Sequence, residues 1–142
     1  MRIIGIRHDN KVGGGEIGIT LELAPLCYGT ATGDRIGMEA SNTSANGWNG
    51  SRMRVATLVT YRGQLPADLR AILKTAIKPT ATSGVNPTLI NSNDDISLLS
   101  EREVFGSNAN SAAGEGERYL YYSVNNTNAA RIKEQPSGSN IN

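Results

Sequence analysis

A mixed α+β fold follows from three features of the chain. There is a clean two-residue alternation near the N-terminus, two stretches of helical spacing in the middle, and a wealth of turn-forming Gly, Asn, Ser and Thr between them.

The first strand is Ile3 to Arg7. His8-Asp9-Asn10-Lys11 and Gly13-Gly14-Gly15 then make a turn. From Glu16 to Leu23 the alternation places Ile17, Ile19, Leu21 and Leu23 on one face and Glu16, Gly18, Thr20 and Glu22 on the other. This predicts a half-buried strand, antiparallel to the first where the glycines close a hairpin. Gly29 to Gly47 is a small polar loop that carries Met38 as a large apolar residue. A helix capped by Asn49 or Ser51 follows, with Met53, Val55, Ala56, Leu58, Val59 and Thr60 forming its face, and Gly63 stops it. Pro66 suits the first turn of a second helix. There Leu65, Leu69, Ile72, Leu73 and Ala76 recur at helical spacing up to Lys78-Pro79.

Thr80 to Asn93 reads as loop. Ile96, Leu98 and Leu99 form a brief apolar run, expected as a buried strand, and Ser100-Glu101-Arg102-Glu103 fits a capping box ahead of Val104-Phe105. Gly106 to Gly116 is rich in Ser, Asn, Ala and Gly. Arg118 to Val124 fits strand and helix equally well. The expected architecture is a single domain over 1–135, with the two helices packed on the N-terminal hairpin and long polar loops around them. A tail of linker composition follows over 136–142.

A chain of 142 residues buries about 68–70% of its unfolded surface, enough for a core without staples. Hydrophobic residues make up 38% and aromatics 5%, so that core should be modest. Fourteen Lys and Arg against thirteen Asp and Glu leave a net charge of +1, with no field to recruit nucleic acid or anionic lipid. The single cysteine, Cys27, can form neither an internal disulfide nor a cysteine zinc site, and reads as a buried inert thiol. No stretch is apolar for the ~18 residues of a membrane span, and the N-terminus lacks the apolar core of a secretory signal.

Several chemistries fail on spacing. Gly13, Gly15 and Gly18 match the dinucleotide pattern but lead into a strand, where pyrophosphate binding needs a helix N-terminus. His8 beside Asp9 suggests a general base, yet no Gly-x-Ser-x-Gly elbow accompanies it, and a surface turn explains the histidine. Asn91, Asn93 and Asp95 alternate like a calcium loop, but Ile96 and Arg102 occupy the positions that need Gly and Glu. No catalytic, cofactor or metal site is therefore expected; a looser cation site would draw on Asp94 or Asp95. Tyr119, Tyr121 and Tyr122, near Asn, Ser and Gly, have a composition suited to a binding surface, and equally to the edge of a core.

Gly47-Trp48-Asn49-Gly50-Ser51-Arg52-Met53-Arg54 and the stretch from Asp94 through Leu98-Leu99-Ser100-Glu101-Arg102-Glu103 to Val104-Phe105-Gly106 are the most distinctive strings. With Ile6-Arg7-His8-Asp9, Leu65-Pro66-Ala67-Asp68-Leu69, Ile77-Lys78-Pro79, Tyr121-Tyr122 and Arg131-Ile132-Lys133 in order, the chain resembles an uncharacterised domain family of gut-type bacteria and their phages. Such domains are similar to C-type-lectin-like modules. The family continues into a Trp-Trp-Leu-Arg-Ser-Pro segment and closing strands, whereas this sequence ends before that point. The resemblance therefore implies that the missing strands come from identical copies or from a neighbouring virion protein.

The resemblance further implies a non-enzymatic phage virion component of tail-fibre, tip or baseplate type, located in the virion, that binds a host-surface glycan or protein or serves assembly. An alternative is a bacterial cell-surface or secreted carbohydrate- or protein-binding module. A second is an enzyme domain of the formylglycine-generating type, which uses a cysteine pair where Cys27 stands alone. The family carries no catalytic residues to transfer. From their own chemistry, Trp48 reads as a plug over a helix N-terminus, Ser51 and Arg54 share an early helical face, and Ser100 with Glu103 caps the next helix. All five are scaffold roles.

Overall fold

The computed structural model describes residues 1–23, 37–41, 47–82, 88–107 and 111–125. Cys27, the sequence around Arg131 and the 136–142 tail, with the domain limit at 135, lie outside the described residues.

The fold is α+β. Among the described residues, five short helices accompany two antiparallel two-stranded sheets. The first sheet pairs β1 (Arg2–Ile6) with β2 (Ile19–Glu22). The chain turns between them through Gly13, Gly14 and Gly15, whose φ angles of 87°, 101° and 77° lie in the left-handed region that side chains resist. Lys11 N–H donates to the Gly15 carbonyl at 2.8 Å and closes the turn.

A bulge between Ile3 and Gly5 decides what this hairpin shows to each side. Ile4 and Gly5 both turn inward, while the paired Ile3 and Leu21, and the paired Ile6 and Ile19, face outward. Ile17 is buried as its alternation predicts. Ile19 and Leu21, expected inside, are 55% and 43% exposed. The strand β2 lies within the predicted stretch, but it starts at Ile19 and turns Ile19 and Leu21 toward solvent, so the inward face is the one that carries Thr20.

The second sheet corrects the sequence reading more sharply. Lys78-Pro79, expected to end a helix, and Thr80 to Asn93, expected as loop, contribute instead to a hairpin. Here β3 (Ala76–Ala81) pairs with β4 (Leu89–Asp94) in an unbroken register from Ala76↔Asp94 to Ala81↔Leu89. Pro79 is tolerated because β3 is an edge strand. The two sheets are tied together near the turn. Lys11 bridges Ala76, Ile77 N–H donates to the Asn10 carbonyl at 2.8 Å, and Val12 N–H donates to the Thr75 carbonyl at 3.0 Å.

The helical region is also more broken than its spacing predicts. α1 (Gly47–Gly50) packs against β3 and β4, and a π-helical segment (Met53–Thr57) runs into α2 (Leu58–Gln64). α3 (Ala67–Ile72) follows Pro66 and stops before Leu73 and Ala76. The helix packed on the N-terminal hairpin is α5 (Leu120–Val124), against β1, rather than the tandem pair. Helix therefore resolves the ambiguity of Arg118 to Val124. Leu98 and Leu99 belong to no strand; Leu98 is exposed and Leu99 packs on the core. They lead into α4 (Glu101–Phe105), which carries the full capping box between Ser100 and Glu103. Ile4, Tyr119 and Tyr122 form the core, with Leu99, Val104 and Tyr121 against it.

Candidate functional site

The turn-side ties between the sheets bring the Asp9 segment beside β3, two residues from the Lys11–Ala76 bridge on each strand. Lys78 points inward from β3. Its ammonium donates to Asp9 Oδ1 at 3.1 Å and to the Tyr119 hydroxyl at 3.1 Å, and lies directly against Glu103 Oε1. Glu103 arrives on the first turn of α4. Its backbone carbonyl accepts the Tyr119 N–H at 3.0 Å, which fixes the phenol next to the carboxylate. Four charged or polar side chains from four segments thus meet in one place, each between 1% and 9% exposed.

Every partner in this cluster has more than one bond. Tyr119 donates to Asp9 at 2.8–3.0 Å, and Thr20 Oγ1 donates to Asp9 Oδ2 at 2.8 Å. Glu103 Oε2 accepts the Ser100 N–H at 2.8 Å, and Ser100 Oγ accepts the Glu103 N–H at 3.1 Å. His8 stacks on Tyr119 with ring centroids 3.9 Å apart, and its Nδ1 faces Asp9 Oδ1 at 3.4 Å. Since a carboxylate only accepts, Nδ1 carries the proton. His8 is therefore a half-buried member of the cluster, not the surface turn residue expected from sequence.

Two glycines let the cluster close. A Cβ on Gly5 would lie 2.7 Å from the Tyr119 ring, and one on Gly116 would lie 3.2 Å from the Glu103 side chain.

The electrostatics follow from burial and pairing. Burial alone pushes the Asp9 carboxyl up. The His8 hydrogen bond, the Lys78 charge and the Thr20 and Tyr119 hydroxyls outweigh it and hold Asp9 well below the usual carboxylate range. The Asp9 hydrogen bond raises His8 above its ordinary 6.5, against partial burial and the Lys78 charge, with the Asp9 and Glu103 charges assisting. Burial, with the Glu103 and Asp9 charges, drives the Tyr119 phenol far above its ordinary value.

The sign of each shift sets a pH window. Asp9 stabilises the fold above its unfolded value near 3.8, and that contribution is lost as pH falls through its lower folded value. His8 stabilises it fully below 6.5, and its contribution is lost as pH rises through the higher folded value. Melting temperature is therefore expected to peak between these limits and decline above pH 6.5. His8→Phe should remove the decline, and an unchanged profile in that variant would refute the assignment.

A second polar junction holds α1 and the π-helical segment to β4. Asp94 accepts from Trp48 Nε1 at 2.9 Å, Arg54 Nε at 2.7 Å and Ser92 Oγ at 2.6 Å, while Arg62 Nε donates to Asp95 at 2.5 Å. Ser51 is buried, and its Oγ accepts the Arg54 N–H at 3.2 Å. Trp48 is half-buried and reaches across to β4, where the sequence suggested a plug over a helix end. Asp94 and Asp95 each face an arginine. Among the described residues, no three His, Cys, Asp or Glu side chains are arranged to hold a metal ion.

The tyrosine trio does not form an open binding surface. Tyr119 lies inside the ionic cluster and Tyr122 in the core, where burial and Glu22 push its phenol up to about 12. Tyr121 packs edge-on against Tyr122 and accepts a hydrogen bond from Arg2 Nη1 at 2.7 Å, beneath the Arg2 guanidinium. Sequence reasoning noted Asp9 and Glu103 but gave Lys78 no role. No local signal marks a lysine whose partners lie 69 and 25 residues away.

No protein family, curated protein or solved structure matches the chain.

Proposed function

We propose that this chain is a non-enzymatic, C-type-lectin-like assembly and binding module of a phage virion, of tail-fibre, tip or baseplate type. The virion setting and the lectin-like kinship rest on the resemblance carried by Gly47 to Arg54 and Asp94 to Gly106. One structural observation supports the assembly role. The outer face of the β1–β2 hairpin presents Ile3, Ile6, Ile19 and Leu21 together, each between 43% and 64% exposed. Scattered exposed leucines mean little, but two adjacent apolar cross-strand pairs form a patch suited to another protein surface. A two-stranded hairpin is also marginal in water, and gains stability when a further layer covers it. The module meets neighbouring subunits through this face, its own copies first, while the ionic cluster on the opposite side braces the hairpin.

Mass spectrometry of particles purified from the carrying strain tests the virion role. Peptides of this chain are expected among the structural proteins; their consistent absence from intact particles would overturn it. The hairpin face has its own test. Ile19→Lys with Leu21→Lys should abolish association yet change protomer stability by only about 0.5 kcal/mol per site, because both side chains already meet solvent. Unchanged association in the double variant would remove the hairpin from the interface.

A further inference from the structure

The cluster around Lys78 has the components of an acyl-transfer site: an amine, a carboxyl group in contact with it, a second carboxylate within proton-transfer distance, and exclusion of water. We propose that Lys78 and Glu103 condense into an intramolecular side-chain amide, a self-made covalent link from β3 to α4. The inference goes beyond the assembly role and is independent of it.

The geometry distributes the roles. Lys78 Nζ lies against Glu103 Oε1, so the carboxyl carbon is one bond further on, within a small side-chain rotation. Glu103 Oε2 already accepts the Ser100 N–H at 2.8 Å, and that donor stabilises the oxyanion that develops when nitrogen adds to the carbon. Asp9 Oδ1, 3.1 Å from Nζ, is placed to take the ammonium proton, and Tyr119, bonded to both, holds the two in register. His8 Nδ1–H, at 3.4 Å from the same oxygen, faces Asp9 as a donor and steadies its carboxylate. Asp9 is the poorer acyl group because Lys78, Tyr119, Thr20 and His8 surround its oxygens and hold it as the anion.

The step balances without a co-reactant. The Nζ–Cδ bond forms and the Cδ–Oε1 bond breaks. Two of the three ammonium protons pass through Asp9 to Oε1, which leaves as water. One ammonium and one carboxylate become a neutral amide, with no net change in protons or oxidation state.

Two physical effects favour the product. Holding an ion pair in a dry site is costly, and conversion to a neutral amide removes that cost. Fixed contact between reactants supplies effective molarities on the order of 10⁵–10⁸ M. Lys78 at 5% and Glu103 at 2% exposure are then closed to the water that would hydrolyse the amide.

Intact-mass spectrometry of the purified, folded full chain reads this directly. The expected mass is lower than that of the sequence by one water, with Lys78→Met and Glu103→Ala each restoring the full mass. Tryptic digestion should yield one branched peptide joining the Lys78 and Glu103 segments, and Asp9→Asn should slow its appearance. Wild-type protein at full mass, with the two peptides separate, overturns the proposal without relying on a variant that folds. So does a water loss that survives Lys78→Met, or a branched peptide joining Lys78 to Asp9.

Discussion

Replacing Lys78 with Met should cost about 3–5 kcal/mol, a large part of the roughly 5–15 kcal/mol that holds a domain of this kind folded. The methionine fills much of the space left by the lysine stem but cannot answer Asp9 and Glu103, which are 9% and 2% exposed. Two like charges would then share a site from which water is excluded. The loss is expected whether Lys78 meets Glu103 as an ion pair or as an amide, because either form holds β3 to α4. Urea denaturation at neutral pH measures it. A midpoint change equivalent to less than about 1 kcal/mol would show that the cluster is not a brace, since surface ion pairs have effects of that size.

Tyr119→Ala should be comparably severe, at about 3–5 kcal/mol, for a different reason. The ring, 1% exposed, fills the space over Gly5, stacks on His8 and links the core to the ionic cluster. Truncation removes packing and hydrogen bonds together. Tyr119→Phe separates them: it keeps the ring but deprives Asp9 and Lys78 of the hydroxyl, for an expected loss of about 1–3 kcal/mol. If Phe proves as damaging as Ala, the hydroxyl dominates and the ring's packing role is overstated. If Phe is neutral, Asp9 does not depend on Tyr119.

The parts of the fold visible in the sequence are those set by local chemistry. Three successive glycines announce the N-terminal turn because few other residues adopt its positive φ angles. Ser100 and Glu103 announce α4 because a capping box is complete within four residues. The β3–β4 hairpin was hidden because its inward positions, the paired Lys78 and Ser92, are polar. Periodicity detects a strand by its apolar face, and this face is turned toward ions. Ile19 and Leu21 misled in the opposite direction: their alternation is that of a buried face, but the bulge in β1 and the burial of Ile4 and Thr20's Asp9 contact place the interior on the other side. The candidate site was the least legible part. Asp9, Lys78, Glu103 and Tyr119 come from four separate segments: the backbone ties at Asn10 to Val12 bring the first two together, and the Tyr119 N–H bond to the Glu103 carbonyl joins the other two.

The most direct test of the account is the solution mass of the full chain by sedimentation equilibrium at micromolar concentration, beside the Ile19→Lys, Leu21→Lys double variant. The expected wild-type mass is a multiple of the 15.1 kDa protomer, and the double variant should sediment as the protomer and still unfold cooperatively. A wild-type chain that sediments as a single, cooperatively melting protomer would contradict it.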